Sequence, residues 1–488
     1  MMIKNKFFLS AAVVFVLITG CKKGIETDPV SIITSATFFK TQDDVAGALR
    51  GMYFQLRIPA SSDLYFMSEG RSDILRGAAA GTLGFDRYYN NTLNVTNPGP
   101  NWLSLYTVIN TANLILKYAP GISFTSENVK NNILAQAYTM RAFVYFSLVR
   151  TWGGVPIRTE PTEKYDPATI QVPRSSAEDV FKLIRQDLDQ ALSLYPDNAI
   201  DGTRSYWNKP AANALKGEVF LWTGKLMNGG EADFTTALAA LNDAKGADVQ
   251  LLPDYADIFS YTNKNNKEIL MSVRFQLLDQ APNNYYTNMY IINFGGLPPA
   301  VQAVVGVQGG NGSVMQIRDE IRSQFTDDDQ RRDATFYEVY DKDNKYYAAI
   351  TTKGNGVVDG GARSFYTDVI LYRLADVLLL IAEAKNALGQ DPSPEINSVR
   401  QRAYGTNYPL HIFVNGSKES NDAAILKERL LELCTEGKRW WDLVRFDQAF
   451  NMVPTLKGKE ADHYLLLFPI GQTIRSLEPL VTENPGWE

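Results

Sequence analysis

The stretch that decides the fold lies near the C-terminus and reads KERLLELCTEGKRWWDLVRF, residues 427–446. Three glutamates, Glu428, Glu432 and Glu436, stand four residues apart, and Trp440 and Trp441 follow them. On a helix, residues four apart have Cβ atoms about 5–6 Å from each other. This spacing fits a retaining glycoside hydrolase, whose two carboxyl groups lie about 5–5.5 Å apart, but it also fits a purely structural helix.

The surroundings of these glutamates favour the structural interpretation. Side chains on one stripe of a helix point the same way and do not flank a bond between two sugars. The same stretch carries five cations, which are Lys427, Arg429, Lys438, Arg439 and Arg445. Alternating charge along a helix is typical of ion-pair networks. The sequence therefore predicts a structural helix over 427–446, with Arg439 in reach of Glu436 and Cys434 buried among leucines.

The amino-acid composition is that of a folded protein and argues against nucleic-acid binding. The chain has 488 residues, of which 45% are hydrophobic and 21% charged, as in an ordinary folded protein. Its net charge is −6 and it contains no long basic run, which makes nucleic acid an unsuitable partner. Aromatic residues reach 11% of the chain, and 25 of them are tyrosines, which suit wet binding surfaces as well as cores.

The first residues have the pattern of an export signal. Lys4 and Lys6 precede an apolar run over 7–18, which is too short to span a bilayer as a mature helix. The ending Ile18-Thr19-Gly20-Cys21 resembles a bacterial lipobox, which implies cleavage before Cys21 and a lipid on its thiol. We expect residues 1–20 to be a lipoprotein signal peptide and 21–35 a lipidated tether. The alternative is an ordinary signal peptide with an incidental cysteine.

The rest of the chain alternates between helical patterns and irregular regions. Apolar periodicity predicts helices over 38–56, 102–118, 131–152, 176–194, 211–227, 234–244, 372–388 and 395–403. The helix up to 194 opens with a capping box in which Ser175 is the N-cap. Neighbouring helices resemble tetratricopeptide hairpins. We predict a mostly α fold in which residues 36–488 form one domain, a TPR-like frame of helix hairpins with loop excursions at about 58–101 and 250–365 and a few short strands.

A set of sequence blocks in fixed order resembles the SusD/RagB family. The C-terminal stretch reproduces the spaced pattern ER..EL..EG.R..DL.R. Further blocks, in chain order, are W..LY..I..AN from Trp102, RAF.YF from Arg141 with GGVP from Gly153, RLAD.LL..AEA from Arg373, N.VR.RA from Asn397, and a tail ending in Asn484-Pro485-Gly486. These blocks span nearly the whole mature chain, although Gly471 and Glu483 depart from the tail pattern.

The resemblance implies a function. Members of this family are outer-membrane lipoproteins that capture glycans, or peptides in the RagB branch, and pass them to a SusC-like TonB-dependent transporter without catalysis. We therefore expect a lipid-anchored protein at the outer membrane, facing the extracellular side, with no cofactor. The alternatives are a peptide-binding importer component, a surface glycoside hydrolase and a TPR-type assembly scaffold.

The two irregular regions supply the candidate ligand contacts. Sugars stack their C–H faces on aromatic rings and bond their hydroxyls to Asp, Arg and Asn side chains. The predicted contacts are Tyr65, Arg71, Asp73, Tyr88, Tyr89, Asn90, Asn91, Asn284, Tyr285 and Tyr286. We predict neither catalytic residues nor a metal site, because the chain has two histidines and no HExxH motif.

Overall fold

The structure is a computed structural model that describes residues 35–78, 83–164, 166–279, 282–290, 297–305, 314–360 and 362–487. The chain divides into two units, residues 1–40 and the compact unit Thr41–Glu488. The lipobox, Cys21 and the tether up to residue 34 lie outside the described residues.

Helices dominate the described chain, which confirms the predicted mostly α fold with few short strands. They are α1 (Ser35–Phe38), α2 (Gln42–Ala60), α3 (Asp63–Ser68), α4 (Asp86–Tyr89), α5 (Leu103–Tyr118), α6 (Glu127–Trp152), α7 (Pro167–Ile170), α8 (Ala177–Leu194), α9 (Lys209–Leu226), α10 (Gly230–Lys245), α11 (Asn284–Thr287), α12 (Pro299–Val305), α13 (Asp319–Arg322), α14 (Arg331–Thr335), α15 (Leu374–Ala387), α16 (Ser393–Tyr404), α17 (Lys418–Leu433), α18 (Arg439–Arg445), α19 (Ala449–Met452) and α20 (Gln472–Leu477).

The strands are short and pair two by two, always antiparallel. They are β1 (Leu75–Gly77), β2 (Ile269–Val273), β3 (Met315–Ile317), β4 (Phe336–Tyr340), β5 (Tyr346–Thr351), β6 (Val357–Asp359), β7 (Ala362–Ser364) and β8 (Val369–Arg373). β1 pairs with β3, with Leu75 opposite Ile317. This pair joins the first irregular region to the second, so the two excursions meet in space.

Side-chain caps set the starts of the long helices. Thr41 forms a capping box with Asp44 at the start of α2, and Ser126 accepts a hydrogen bond from the N–H of Val129 at the start of α6. The cap of α8 is Ser176, which accepts from the N–H of Asp179. The expectation that Ser175 is this cap was wrong by one residue, because either serine of the pair could have accepted an N–H of the first turn.

The helices form a connected series of packed pairs. α5 packs against α2 and α6, α6 against α8, and α9 forms a close hairpin with α10. The series continues from α10 to α15, which also contacts α16 and α17. Small residues permit the close approach in the α9–α10 hairpin, since a Cβ on Gly217 would lie 2.3 Å from Leu241 Cγ. The hairpin frame predicted from the spacing of small and apolar residues is therefore present.

The stretch 427–446 is two helices and not one. α17 ends at Leu433, and α18 begins at Arg439. Between them, Thr435 and Gly437 have positive φ angles of 64° and 72°, which no right-handed helix allows. The prediction of a continuous helix was wrong here, and Glu436 lies in the turn. Cys434 is fully buried as a free thiol, as its leucine neighbours predicted.

Candidate functional site

The glutamates of the opening stretch are bound by arginines in the core. Glu432 is fully buried and accepts bonds from Arg373 Nη1 at 2.6 Å, from Arg331 Nη1 at 3.3 Å and from Arg402. Glu428 accepts from Arg331 Nη1 at 2.7 Å. Burial alone would raise the pKa of Glu432, but these three guanidinium groups hold it well below its usual range. Glu432 is therefore an anion within a buried network of ion pairs.

Glu436 extends this network from the turn. Its carboxylate accepts from Lys353 Nζ at 2.7 Å and from Arg373 Nε at 2.8 Å. Glu268 faces the same Arg373 from the other side, at 2.9 Å. Arg439 does not reach Glu436, because its guanidinium forms a two-pronged bond with Asp73 at 2.8–2.9 Å. The network supports the structural interpretation of the three glutamates, none of which offers an exposed carboxylate to a substrate.

A second group of buried charges lies around α18. Arg445 bonds Glu383 at 2.7 Å and Asp442 at 2.8 Å, and Arg429 bonds Asp376 at 2.8 Å. The pKa of Glu383 is lowered to about 2, because Arg445 and Lys225 outweigh the effect of burial. The pattern DL.R of the sequence thus encodes inward-facing ion pairs that hold α18 to α15 and α17.

Three of the predicted ligand contacts are core residues. Tyr65 is 2% exposed and stacks on Tyr285, with ring centroids 4.0 Å apart. The hydroxyl groups of Tyr65 and Tyr286 lie 3.2 Å apart, and Tyr286 donates to the carbonyl of Thr435. The structure brings these rings together, but it buries them. All three rings are at most 2% exposed, so they pack as core residues in this conformation, and their contact with a ligand stays a prediction.

Arg71, Asp73 and Asn91 are also structural in this conformation. The Arg71 guanidinium lies between the rings of Trp440 and Phe468, at 4.6 and 4.9 Å from their centroids. It donates to Asn91 Oδ1 at 2.7 Å, while Asp73 pairs with Arg439. All three are at most 7% exposed. Their polar atoms hold the first irregular region against the C-terminal part of the chain, and their contact with a ligand stays a prediction.

The remaining predicted residues lie at or just under the surface. Tyr88 and Tyr89 are 3% and 5% exposed, and Tyr88 stacks on Phe66 with centroids 4.5 Å apart. Both rings are therefore packed in this conformation, and their role as stacking platforms for a ligand stays a prediction. Asn90 and Asn284 are exposed, and Asn284 Nδ2 donates to Ser61 Oγ at 2.9 Å. The ligand role of these two asparagines stays a prediction.

Asn90 and Asn284 belong to a surface at which the two irregular regions meet. We name it the loop junction and define it as residues 61–63, 83–90 and 282–287. Tyr285 N–H donates to the carbonyl of Ser61 at 2.9 Å, which fixes the second region against the end of α2. The exposed Leu83 and the half-buried Phe85 add apolar surface. The junction thus combines amide, hydroxyl and apolar groups in one place.

Asp63 is the most unusual group of the loop junction. It is half-buried, and within the described chain its carboxylate has only a bond from Ser62 Oγ, at 3.4 Å, and no ion pair. Burial raises its pKa to about 6. Nearby, Arg87 donates to Tyr88 Oη at 3.2 Å and lies over the Tyr88 ring. An uncompensated carboxylate costs folding free energy, and such groups concentrate at functional sites.

Sequence reasoning missed Asp63 and Arg87. Asp63 follows Pro59-Ala60-Ser61-Ser62 at the end of α2, where a serine pair and an aspartate are typical of a helix start. The N-cap interpretation accounts for the sequence equally well. Only the structure shows that Asp63 is partly withdrawn from water and has no cationic partner among the described residues.

A separate cleft of about 600 Å³ runs along α5, away from the predicted residues. It is bounded by α5, the segment around Arg158 and Glu160, and the end of α20. Two of its charged wall groups pair with each other, since Arg158 Nη2 bonds Glu478 at 2.9 Å, and Glu160 is exposed. Its polar lining is supplied largely by neutral side chains such as Gln55, Thr107 and Asn110. Its size lies within the usual range of ligand pockets.

Two features of the described residues bear on metal binding and on membrane insertion. The described residues contain no group of three or more His, Cys, Asp or Glu side chains placed to hold a metal ion. Within the same residues, every helix lacks either the length or the apolar character that crossing a bilayer requires.

Comparison with known proteins identifies the class. The sequence profile of the SusD family matches residues 231–487, and a second profile, described as starch-binding associating with outer membrane, matches residues 36–221. SusD-like protein P38 of Formosa agariphila is 26% identical over 492 residues, which cover 92% of either chain. The chain belongs to the SusD family.

Solved structures agree with this assignment. The structure of B. fragilis NanU is 33% identical and superposes with a TM-score of 0.83 over 95% of this chain and 100% of that one. A laminarin binding SusD-like protein is 22% identical, with a TM-score of 0.74 over 92% of this chain and 100% of that one. The second likeness concerns the fold alone.

Proposed function

We propose that this protein binds a glycan at the loop junction and delivers it to a SusC-like TonB-dependent transporter of the outer membrane. It acts by binding and not by catalysis, and a lipid on Cys21 holds it to the membrane on the extracellular side. The family assignment supports the glycan as ligand, and the family description that mentions the outer membrane supports the location. The name of the laminarin binding relative is consistent with this ligand class.

Asp63 is the observation that carries the choice of site. A carboxylate accepts hydrogen bonds from two adjacent sugar hydroxyls, and bonds to a charged group contribute about 1.5–3 kcal/mol each. The Asp63 carboxylate lacks an ion-pair partner in the described chain, so a ligand hydroxyl meets no competing cation. Asn90 and Asn284 lie on the same junction and supply amide donors and acceptors.

Calorimetric titration with a panel of neutral oligosaccharides tests the site. Asp63→Asn should weaken binding of the cognate glycan about tenfold or more, because each 1.4 kcal/mol corresponds to a factor of ten. Asp243→Asn is the matched control, since Asp243 is exposed on α10 and forms no ion pair in the described chain. If both variants bind as the wild type does, the loop junction is not the site.

Four measurements distinguish this proposal from its alternatives. Gln55→Ala and Asn110→Ala would weaken glycan binding in place of Asp63→Asn if the α5 cleft were the site. Binding of peptides but of no glycan would favour the RagB-like branch, and release of reducing sugar would favour a hydrolase. Co-purification of a large TonB-dependent barrel from detergent-solubilised outer membrane supports the transporter, whereas binding to other outer-membrane proteins without glycan would favour an assembly scaffold.

A further inference from the structure

A short segment between α16 and α17 exposes large apolar side chains at every second position. It reads LHIFV over residues 410–414, and we name it the edge segment. Leu410, Ile412 and Val414 are 82%, 51% and 78% exposed, whereas His411 and Phe413 are half-buried. Leu410 ends a 3₁₀ turn and His411 has a ψ of 13°, so the alternation that is typical of an extended strand with one face inward applies to residues 412–414.

The inward side of the edge segment is held by side chains of α16. Asn397 brackets Phe413, because its Oδ1 accepts from the Phe413 N–H at 2.8 Å and its Nδ2 donates to the Phe413 carbonyl at 2.9 Å. Arg400 Nη1 donates to the carbonyl of His411 at 3.0 Å. Arg400 is itself fixed by Glu428 at 2.7 Å. The segment is therefore tied to the buried ion-pair network.

The ring of His411 adds a further attachment. It stacks on Tyr404 with ring centroids 3.6 Å apart and an angle of 7° between the planes. Its Nε2 lies 2.7 Å from Asp328 Oδ2. The edge segment is thus held at both of its inward residues, so its outward side has a fixed geometry.

The bracket on Phe413 determines where the neighbouring backbone groups point. The N–H and C=O of Phe413 lie on one side, as in an extended residue. The described peptide bonds are trans, and the C=O and N–H of a trans peptide point in opposite directions. The carbonyl of Ile412 and the N–H of Val414 therefore face outward. Neither has a hydrogen-bond partner within the part of the chain that the structure describes.

We propose that the edge segment is a docking site for an extended polypeptide segment of a partner protein, which adds to it as a β-strand. A residue of the incoming strand donates its N–H to the Ile412 carbonyl and accepts from the Val414 N–H. Asn397 is the counterpart of this residue on the inner side of the segment. Its side-chain amide makes the same two kinds of bond, to the N–H and the C=O of Phe413. Apolar side chains at alternate positions of the partner then cover Ile412 and Val414.

The backbone groups, and not the apolar side chains alone, decide the class of partner. The outward Ile412 carbonyl and Val414 N–H lie on either side of Phe413. The main chain of another extended polypeptide offers an N–H and a C=O that can bond both groups, which is the basis of strand addition. A lipid acyl chain has neither a donor nor an acceptor, and a glycan, whose hydroxyls can bond both groups, has no apolar side chains to cover Ile412 and Val414. An exposed apolar edge with unpaired backbone is also a hazard for aggregation, so a partner that covers it removes a liability.

Proline at position 414 tests the proposal. Val414→Pro removes the outward N–H, which has no partner in the described chain, and it leaves the Asn397 bracket intact. The residue before proline prefers an extended conformation, which Phe413 already has. The melting temperature and glycan binding should therefore stay unchanged. Val414→Thr is the matched control, because it keeps both the β-branched shape and the N–H.

The probe is a library of random linear decapeptides displayed on phage and selected against the full chain. Hits resynthesised as free peptides should carry apolar residues at alternate positions. Val414→Pro should weaken the binding of these peptides about tenfold or more, which corresponds to the loss of roughly one hydrogen bond. Val414→Thr should bind them as the wild type does. Hydrogen–deuterium exchange should show that the bound peptide protects residues 410–416.

Three results would overturn the proposal. One is a selection that enriches no peptide for the wild type over Val414→Pro. Another is a set of hits that both variants bind equally and that protect a different part of the chain. The third is sedimentation that shows a wild-type dimer lost in Val414→Pro, because the edge segment would then pair with a second copy of this chain and not with a partner protein.

Discussion

At the scale of single residues, the acidic side chains fall into two environments. Glu428, Glu432 and Glu436 are buried against arginine and lysine groups that compensate their charge. Asp63 has lost part of its hydration and has gained no cation within the described residues. The paired glutamates stabilise the fold. The partly buried Asp63 carboxylate costs folding free energy, and hydrogen bonds from a ligand would reduce this cost.

Glu436→Gln should lower the free energy of unfolding by about 3 kcal/mol. The variant leaves Lys353 and Arg373 without one of their buried counter-charges, and breaking a buried pair from one side costs roughly 3–5 kcal/mol. Denaturant titration measures this, with Glu178→Gln on the exposed start of α8 as the neutral control. An unchanged stability together with lost ligand binding would assign Glu436 to the ligand site.

Asp63→Asn should have the opposite effect on stability. The pKa of Asp63 is raised from 3.8 to about 6 in the folded protein, so the folded state resists ionisation and the wild type loses stability as the pH rises from about 4 to 6. The variant avoids this loss and should be more stable by on the order of 1–2 kcal/mol above pH 7. Thermal unfolding at pH 4 and pH 8 measures it. A variant that is less stable at pH 8 would mean that Asp63 has a stabilising partner.

At the scale of elements, the turn between α17 and α18 is held by one side chain that is distant in sequence. The carboxylate of Glu69 accepts the backbone N–H groups of Thr435 at 2.7 Å, Gly437 at 2.6 Å and Lys438 at 3.2 Å. These are donors that a continuous helix would have used internally. A side chain at the end of α3 thus replaces one turn of helix, and the replacement places Glu436 against Lys353.

Gly437→Ala should destabilise the protein by about 1–3 kcal/mol. Gly437 has a φ of +72°, and an added Cβ would lie 2.9 Å from Ser68 Oγ and 3.3 Å from the Tyr65 ring. Gly51→Ala is the control of opposite sign, because Gly51 lies inside α2 with open space around it. Alanine there should stabilise by about 0.5–1 kcal/mol. Urea unfolding compares the two, and equal effects would show that the turn tolerates a side chain.

The sequence predicted the long helices well for a physical reason. Their apolar residues repeat with the helical period over four or more turns, so an error of a few residues at either end does not change the face that is buried. The turn at 434–438 was missed because its stabilising group, Glu69, lies far away in sequence. Glu436-Gly437 was a visible turn signal, but the charge spacing around it favoured a helix.

The candidate site was less predictable than the fold. Tyrosine has an apolar ring and a polar tip, so the same Tyr-Tyr pairs suit a surface and a core. Tyr285-Tyr286 and Tyr88-Tyr89 turned out to be buried, which also means that replacing Tyr88 and Tyr89 by alanine would damage packing before it reported on a ligand. Partial burial of Asp63 depends on groups from distant segments, and no local pattern encodes it.

At the scale of the whole molecule, the lipid anchor that we propose lies on Cys21, outside the described part of the chain. Cys21→Ala should release the protein from membranes into the soluble fraction, because a covalent acyl chain adds about 0.8 kcal/mol of membrane affinity per buried CH₂. Fractionation of cells that express the variant measures this. Cys434→Ala is the control, since its buried thiol is unavailable for acylation. A Cys21→Ala protein that still sediments with membranes would place the anchor elsewhere.

The bonds of Glu69 and Asp73 have a consequence for biogenesis. Their partners, Thr435 and Arg439, follow 366 residues later in the chain. The partners of Glu268, which are Arg373 and Arg402, also come later in the sequence. A chain made N-terminus first therefore lacks the bonding partners of Glu69 and Asp73 until nearly all of it has been made. Contacts this distant in sequence form late and slowly. The part of the core that joins α3 to α17 and α18 therefore cannot be completed before the C-terminal residues have been synthesised, however early the first helices form.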